Sequence, residues 1–404
     1  MDPLQFIDKT VASMKEKGLY NNIRTLQSPQ GAWLRVDGKK VLNFCSNNYL
    51  GLAADTRLSN AAIRAVKKYG IGNGAVRTLS GTNALHIQLE SELASFKKVE
   101  AAIVVQSGFI ANIVAIQTIM GKEDIVISDE LNHASIIDAI RVSGIGNKMI
   151  YKHNDMADLK VQLEKAAELA ETKKADGADR LILVVTDGVF SMDGDIARLP
   201  EIVALAKKYG AITMVDDAHG EGILGSHGRG IVDHFKLHGQ VDIEVGTFSK
   251  AFGVIGGAIT GRKSLIEYYH QKGRPFLFST GLSIPATAAM IACVRELSKS
   301  DKLVKKVWDN AAYLKAGFTK LGFDTGHSET PITPVMIGDE TKAAQFSALL
   351  FKQKVFATPI KFPMVALGKA RIRVMPSASH SKKDLDFGLR AFGRVGRELG
   401  IIGK

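Results

Sequence analysis

The stretch RLILVVTDGVFSMDGDIARLPEIVALAKKYGAITMVDDAHG (residues 180–220) decides how the chain folds. It opens on an apolar, β-branched run at 181–186, long enough for a buried strand and too short for a helix. A helical pattern follows over 200–209 and stops at Gly210, a residue that tolerates the turn at a helix end. A second apolar run comes at 212–216. Strand, helix, strand at this spacing predicts two parallel strands joined by a crossover, the unit of a sheet covered on both faces.

The pattern extends to both sides. Further strand-like runs lie at 101–105, 125–128, 149–152 and 243–247, with helical stretches between them. One of these, 157–169, puts Leu159, Val161, Leu163, Ala166, Ala167 and Leu169 on a broad apolar face. The expectation is an α/β fold with a mainly parallel central sheet in a large domain over 56–300. Beyond about residue 300, helices come first, then runs at 331–336, 355–357 and 370–374, then a helix at 382–399. That predicts a smaller α+β domain over 301–404. Residues 1–55 are expected to form an N-terminal arm packing on both.

Composition narrows the function classes. Of 404 residues, 46% are hydrophobic and 23% charged, which supports a large core and argues against disorder. No apolar run approaches the ~20 residues of a membrane span. The first ten residues do not read as a signal peptide. Two cysteines, Cys45 and Cys293, make no disulfide framework, so a reducing cytoplasm is the expected compartment. The net charge of +12 is spread over Lys-Lys pairs such as Lys67-Lys68 and Lys207-Lys208. It fits a solvated lysine-rich surface or steering of a polyanionic substrate. Basic patches with interleaved aromatics are absent, which argues against nucleic acid.

Each strand runs into a polar cluster: Gln106-Ser107-Gly108, Asp129, Thr186-Asp187-Gly188, Asp216-Asp217-Ala218-His219 and Thr247-Phe248-Ser249-Lys250. In open parallel sheets ligands bind outside the carboxyl ends of the strands. Ser107-Gly108-Phe109 is either a phosphate site at a helix N-terminus or an ordinary strand-to-helix turn. Asp216 would suit a cofactor's protonated ring nitrogen, a helix cap, or a metal shared with His219. No second cluster with ligand spacing supports the metal; His234 and His238 lack the HExxH pattern. Lys250 is either a surface residue or a desolvated, nucleophilic amine. GGAITGRKS (256–264) only imitates a P-loop, because Arg262 stands where the lysine must follow the second glycine. The glycines at 70–74 have no strand before them, as a dinucleotide fingerprint would require.

Taken together, these clusters carry a resemblance. SNNYLG (46–51), VRTLSGTNALHIQLE (76–90), SGFIAN (107–112), SDELNHASIIDAIR (128–141), TDGVFSMDGDIARLP (186–200), MVDDAHGEGILGSHGRG (214–230), GTFSKAFGVIGG (246–257), RPFLFST (274–280) and ARIRVMPSASH (370–380) cover nearly the whole chain. The chain resembles the fold-type I pyridoxal-phosphate (PLP) enzymes, and more narrowly the α-oxoamine synthases, which condense an amino acid with an acyl-CoA.

The resemblance implies PLP bound as a Schiff base on Lys250, which also moves the substrate's α-proton. It implies that His133 stacks on the cofactor ring and hydrogen-bonds developing oxyanion charge. Asp216 would bind the ring nitrogen, and His219 and Ser191 would reach the phenolic oxygen. Gly108, Phe109 and Thr247 would hold the phosphate, joined by Ser279 and Thr280 from the other subunit of a homodimer. Arg373 would clamp the amino acid's carboxylate, with Arg371 as its neighbouring alternative. Asn47 and Arg24 would stand on the substrate side. GRPFLFST (273–280), FPMVALGKARIR (362–373) and FGRVGRELGII (392–402) resemble glycine C-acetyltransferases, which implies glycine and acetyl-CoA as substrates in threonine breakdown. The alternatives are 8-amino-7-oxononanoate synthase of biotin synthesis, using alanine and a pimeloyl thioester, or an enzyme with both specificities. A catalytically silent subunit acting as a binding partner is the reading from another class. Such subunits typically lose the lysine, which is present here.

Overall fold

The protein is described by a computed structural model over residues 2–16, 20 and 23–403. Its central sheet has seven strands in the order Ala101–Val105, Gly257–Gly261, Ile243–Thr247, Ile212–Asp216, Ile182–Asp187, Ile125–Asp129 and Asn147–Tyr151. Gly257–Gly261 runs antiparallel to both neighbours, and all other pairings are parallel. The six expected strands all form, within a residue or two of the expected bounds. Gly257–Gly261 was not expected: GAITG has glycine at both ends and no continuous apolar run. It pairs because its glycines let other backbone come close. A Cβ on Gly257 would stand 2.5 Å from the Ser107 carbonyl, and one on Gly261 2.7 Å from the Asp242 oxygen.

The apolar runs are continuous because both faces of the sheet are covered. Ile182 and Val184 pack into one core with Leu159 and Leu163 of the helix Met156–Ala170 and Ile202 of Leu199–Lys208. Leu183 and Val185 point the other way, to Val114 and Ile116 of Gly108–Ile119 and Ile136 of Ala134–Ser143. Each such side chain contributes roughly 1.5–3 kcal/mol on burial.

A second, antiparallel sheet has the order Thr333–Gly338, Ala370–Val374, Pro359–Ile360. The helices Lys302–Leu321, Glu340–Lys352 and Lys382–Glu398 join it in a core centred on Phe318, Phe323, Phe346 and Phe392. The hairpin Trp33–Val36/Lys39–Asn43 extends this region, since Val355–Phe356 pairs in parallel with Lys39–Asn43. Residues 44–52 then run back to the central sheet. Among the described residues no helix is long and apolar enough to cross a membrane.

Candidate active site

At the carboxyl ends of the parallel strands lies a cavity of about 210 Å³. Five segments that are distant in sequence build its walls.

The first is the helix Gly108–Ile119, whose N-cap Ser107 accepts a hydrogen bond from the Ile110 N–H. The N–H groups of its first turn face the cavity mouth without helical acceptors. A Cβ on Gly108 would lie 2.8 Å from Thr247 Cβ, so only glycine lets the helix end approach the strand Ile243–Thr247. Thr247 and Ser249, whose hydroxyls are 2.9 Å apart, stand beside this end. Backbone donors, the helix dipole and two hydroxyls form an anion cradle.

The second segment is the end of Ile212–Asp216. Asp216 is buried, and its carboxylate accepts from Asn112 Nδ2 (2.7 Å) and the Ala218 N–H (3.0 Å). Asn112 also donates to Ser135 Oγ at 2.8 Å. It lies one turn beyond Gly108, the polar residue of an apolar helix face. That position is the signal that could have identified it from sequence. His219, the residue after Ala218, is also buried. Burial, then Lys250, Arg373 and His133, drive its pKa well below the usual value, so it is neutral.

The third wall carries His133, the N-cap of Ala134–Ser143. Its ring Nδ1 accepts from the Ser135 N–H, and its backbone N–H donates to Asp187 Oδ2 at 2.9 Å. Burial lowers its pKa; Asp216 opposes this and Lys250 adds to it. Asp187, at the end of Ile182–Asp187, is a residue that the sequence reading left without a role. Burial, and then the nearby Asp216, raise its carboxyl well above the ordinary range.

Lys250 closes the floor. Burial pulls its pKa down to about 8, against the opposing pull of Asp216 and Asp187. Near neutrality such an amine reaches its neutral, nucleophilic form far more readily than an exposed lysine. Ser191 is the fifth wall. Its carbonyl accepts from Arg373 Nη1 (2.9 Å), while Arg373 Nη2 donates to Asn47 Oδ1 (3.2 Å). Arg371 is buried and turned to Asp193 and the Met192 carbonyl, so it braces the loop instead of facing the site.

Five expected residues are not among those that line the cavity: Asn47 and Arg373, which are linked to it through Ser191, and three more. Ser279 and Thr280 do not line this cavity; Gln106 Nε2 donates to Ser279 Oγ at 3.0 Å and to the Thr280 carbonyl. Arg24 is exposed, paired with Asp37 at 2.9 Å and stacked over the Phe351 ring.

The donor set fits PLP. An anion cradle, a fixed carboxylate for a ring N–H, and an amine of lowered pKa match the phosphate, the pyridinium nitrogen and the aldehyde.

Comparison with known proteins agrees. Residues 39–392 match the family "Aminotransferase class I and II". The chain is similar to the 8-amino-7-oxononanoate synthases of Thermosipho melanesiensis (59% identity, 98% of each chain), Fervidobacterium nodosum (57%, 98% of this chain and 99% of that) and Petrotoga mobilis (56%, all of both). Among solved structures it is similar to serine palmitoyltransferase from S. paucimobilis with bound PLP–myriocin aldimine (TM-score 0.91, 31% identity, all of both chains).

These relatives correct the expectation of glycine acetylation from acetyl-CoA in threonine breakdown. None of the stretches behind it, 273–280, 362–373 and 392–402, walls the cavity. Phe276 fills the core beneath the sheet, and Gly393 and Gly396 make room for Leu321 and Phe323. Apart from Ser279, Thr280 and Arg373, whose expected roles concern the phosphate and the amino acid, similarity there carries no information on the acyl group. By its fold, its cavity and its full-length relatives, the chain belongs to the class I and II aminotransferase family of PLP enzymes, within its α-oxoamine synthase branch of acyltransferases.

Proposed function

We propose that the protein condenses alanine with a pimeloyl thioester, releasing carbon dioxide and the free thiol, to give 8-amino-7-oxononanoate. The product's chemistry fixes the partners. Its terminal methyl carbon and the amino-bearing carbon are those of alanine without its carboxyl group. The remaining seven carbons, ending in the ketone, are those of a pimeloyl chain. Identity of 56–59% over full length to three synthases of that name is the observation that carries the reading.

PLP, when bound, supplies an electron sink for the carbanion formed at the amino acid's α-carbon. The chain's own residues do the rest. Lys250 holds the cofactor through Nζ and, once displaced by substrate, carries the α-proton. Asp216, held by Asn112 and the Ala218 N–H, keeps the ring nitrogen protonated. The N–H groups of Gly108 and Phe109, with Thr247, bind the phosphate. His133, on the cavity wall, would contact the cofactor ring and stabilise oxyanion charge at the thioester carbonyl. Ser191 and His219, both on the cavity wall, would hydrogen-bond the ring's phenolic oxygen. Arg373, with its two-donor fork, holds the alanine carboxylate together with Asn47. Arg24 would contact the acyl substrate, as the family resemblance implies.

The protein acts as a homodimer in which Ser279 and Thr280 complete the neighbouring subunit's phosphate site. Supporting this, both lie outside their own chain's cavity, in a surface rich in exposed apolar side chains: Leu79 (80% exposed), Phe278 (72%) and Ile71 (71%). The test of function is kcat/KM by thiol release. Alanine with pimeloyl-CoA is expected to exceed glycine with acetyl-CoA by at least ~100-fold, on the scale set by pocket fit at both substrates. A preference for the second pair would overturn the reading.

A further inference from the structure

Tyr49 is fully buried on the arm that leaves the hairpin for the central sheet. The arm is pinned on the other side: the Met375 N–H donates to the Phe44 carbonyl (3.0 Å), Ser377 Oγ to the Asn48 carbonyl (2.7 Å), and the Ala378 N–H to the Tyr49 carbonyl (2.7 Å). From this anchored backbone the Tyr49 hydroxyl reaches His219 Nδ1 at 2.8 Å, with the two rings edge to face. It has no other partner among the described residues.

We infer that Tyr49 is a positioning residue: its hydroxyl donates to His219 Nδ1 and locks the imidazole as the Nε2–H tautomer, a hydrogen-bond donor aimed into the cavity. The direction of the bond follows from elimination. A buried hydroxyl that left its proton without an acceptor would forfeit a hydrogen bond in a dry site. His219 Nδ1 is the acceptor within reach, so that nitrogen carries no proton. A neutral imidazole then bears its proton on Nε2. Neutrality is supported by burial and by the cationic groups around the ring, Lys250 and Arg373, with His133 beside them. Burial also keeps the Tyr49 hydroxyl protonated, by raising its pKa. His219 is a wall of the cavity, and Nε2 has no partner in the described protein.

A donor at this point suits an acceptor oxygen of the ligand, such as the phenolic oxygen of PLP; that part rests on the proposed role of His219. The tautomer does not, because it is set by the protein alone. It also ties the cavity to the arm's anchorage, since moving the arm would withdraw Tyr49 and free the ring to invert its tautomer.

The test is ring 15N NMR of histidine-labelled, cofactor-free protein near neutral pH, with His219→Asn to assign the signal. The expected result is an unprotonated Nδ1 and a protonated Nε2. In Tyr49→Phe, the Nδ1–H form should appear. A proton on Nδ1 in the unsubstituted protein would overturn the inference without touching the function proposed above. In the holoenzyme, Tyr49→Phe should lower kcat roughly tenfold, as when a histidine's orienting partner is lost. It should shift the visible absorption and change the KM for alanine little. In a His219→Asn background the same change should cost nothing further. Fully additive losses would also overturn the inference.

Discussion

At the scale of single residues, the site rests on one lysine placed among carboxylates. Lys250 has a folded pKa of about 8 against 10.5 for a free lysine. Below about 8 both states are protonated, and the folded state bears the cost of a half-buried, desolvated cation. Between about 8 and 10.5 the unfolded chain binds more protons, so stability rises with pH through this group. Cofactor-free Lys250→Met should therefore be more stable than the unsubstituted protein near pH 7. The gap should close toward pH 10.5, as thermal denaturation across pH would show; a pH-independent gap would contradict this origin. Lys250, Asp216 and His219 stand out in the sequence because each lies just past a short apolar run, where a polar residue at a strand's carboxyl end marks itself. Asn112 and Tyr49 were not singled out, and Asp187, though in a strand-end cluster, was given no role. The importance of Asn112, Asp187 and Tyr49 lies in contacts across 104, 54 and 170 positions of chain; only Asn112 has a local signal, its place as a polar residue on an apolar helix face.

At the scale of elements, glycine explains both what the sequence conceals and how the phosphate cradle is built. Gly257–Gly261 could not be read as a strand, because its glycines remove the apolar signal. The same residues let the strand lie against Ser107 and the helix end. Gly257→Ala would put a methyl group within 2.5 Å of the Ser107 carbonyl, a backbone atom that cannot step aside cheaply. Overpacking of this kind costs ~1–3 kcal/mol. We expect that loss in denaturant unfolding, together with weaker PLP retention, because Ser107 and Gly108 move as a unit. Loss of stability with unchanged PLP affinity would separate the strand from the cradle. Charge is hidden in the same way. Glu244 lies in a strand that reads as apolar, yet its carboxylate meets Lys97 at 3.2 Å in a buried cluster with Asp217 and Glu221.

At the scale of the whole molecule, the chain's architecture was legible and its acyl specificity was not. Alternating strands and helices follow from hydrophobic period, whereas the acyl group is chosen by a few side chains among many packing residues. The dimer proposed here has a direct assay. Lys250→Ala and Thr280→Arg chains, each inactive alone, should on mixing recover roughly a quarter of parental activity, the statistical yield of one intact shared site per heterodimer under free exchange. No recovery in confirmed heterodimers would mean that each site is built within one chain. The most direct measurement of the central claim uses alanine labelled with 13C in its carboxyl group, with pimeloyl-CoA and the PLP-loaded protein. Labelled carbon dioxide is expected in step with free thiol, together with an unlabelled 8-amino-7-oxononanoate of the expected mass. Absence of that product, or label retained within it, would contradict the account.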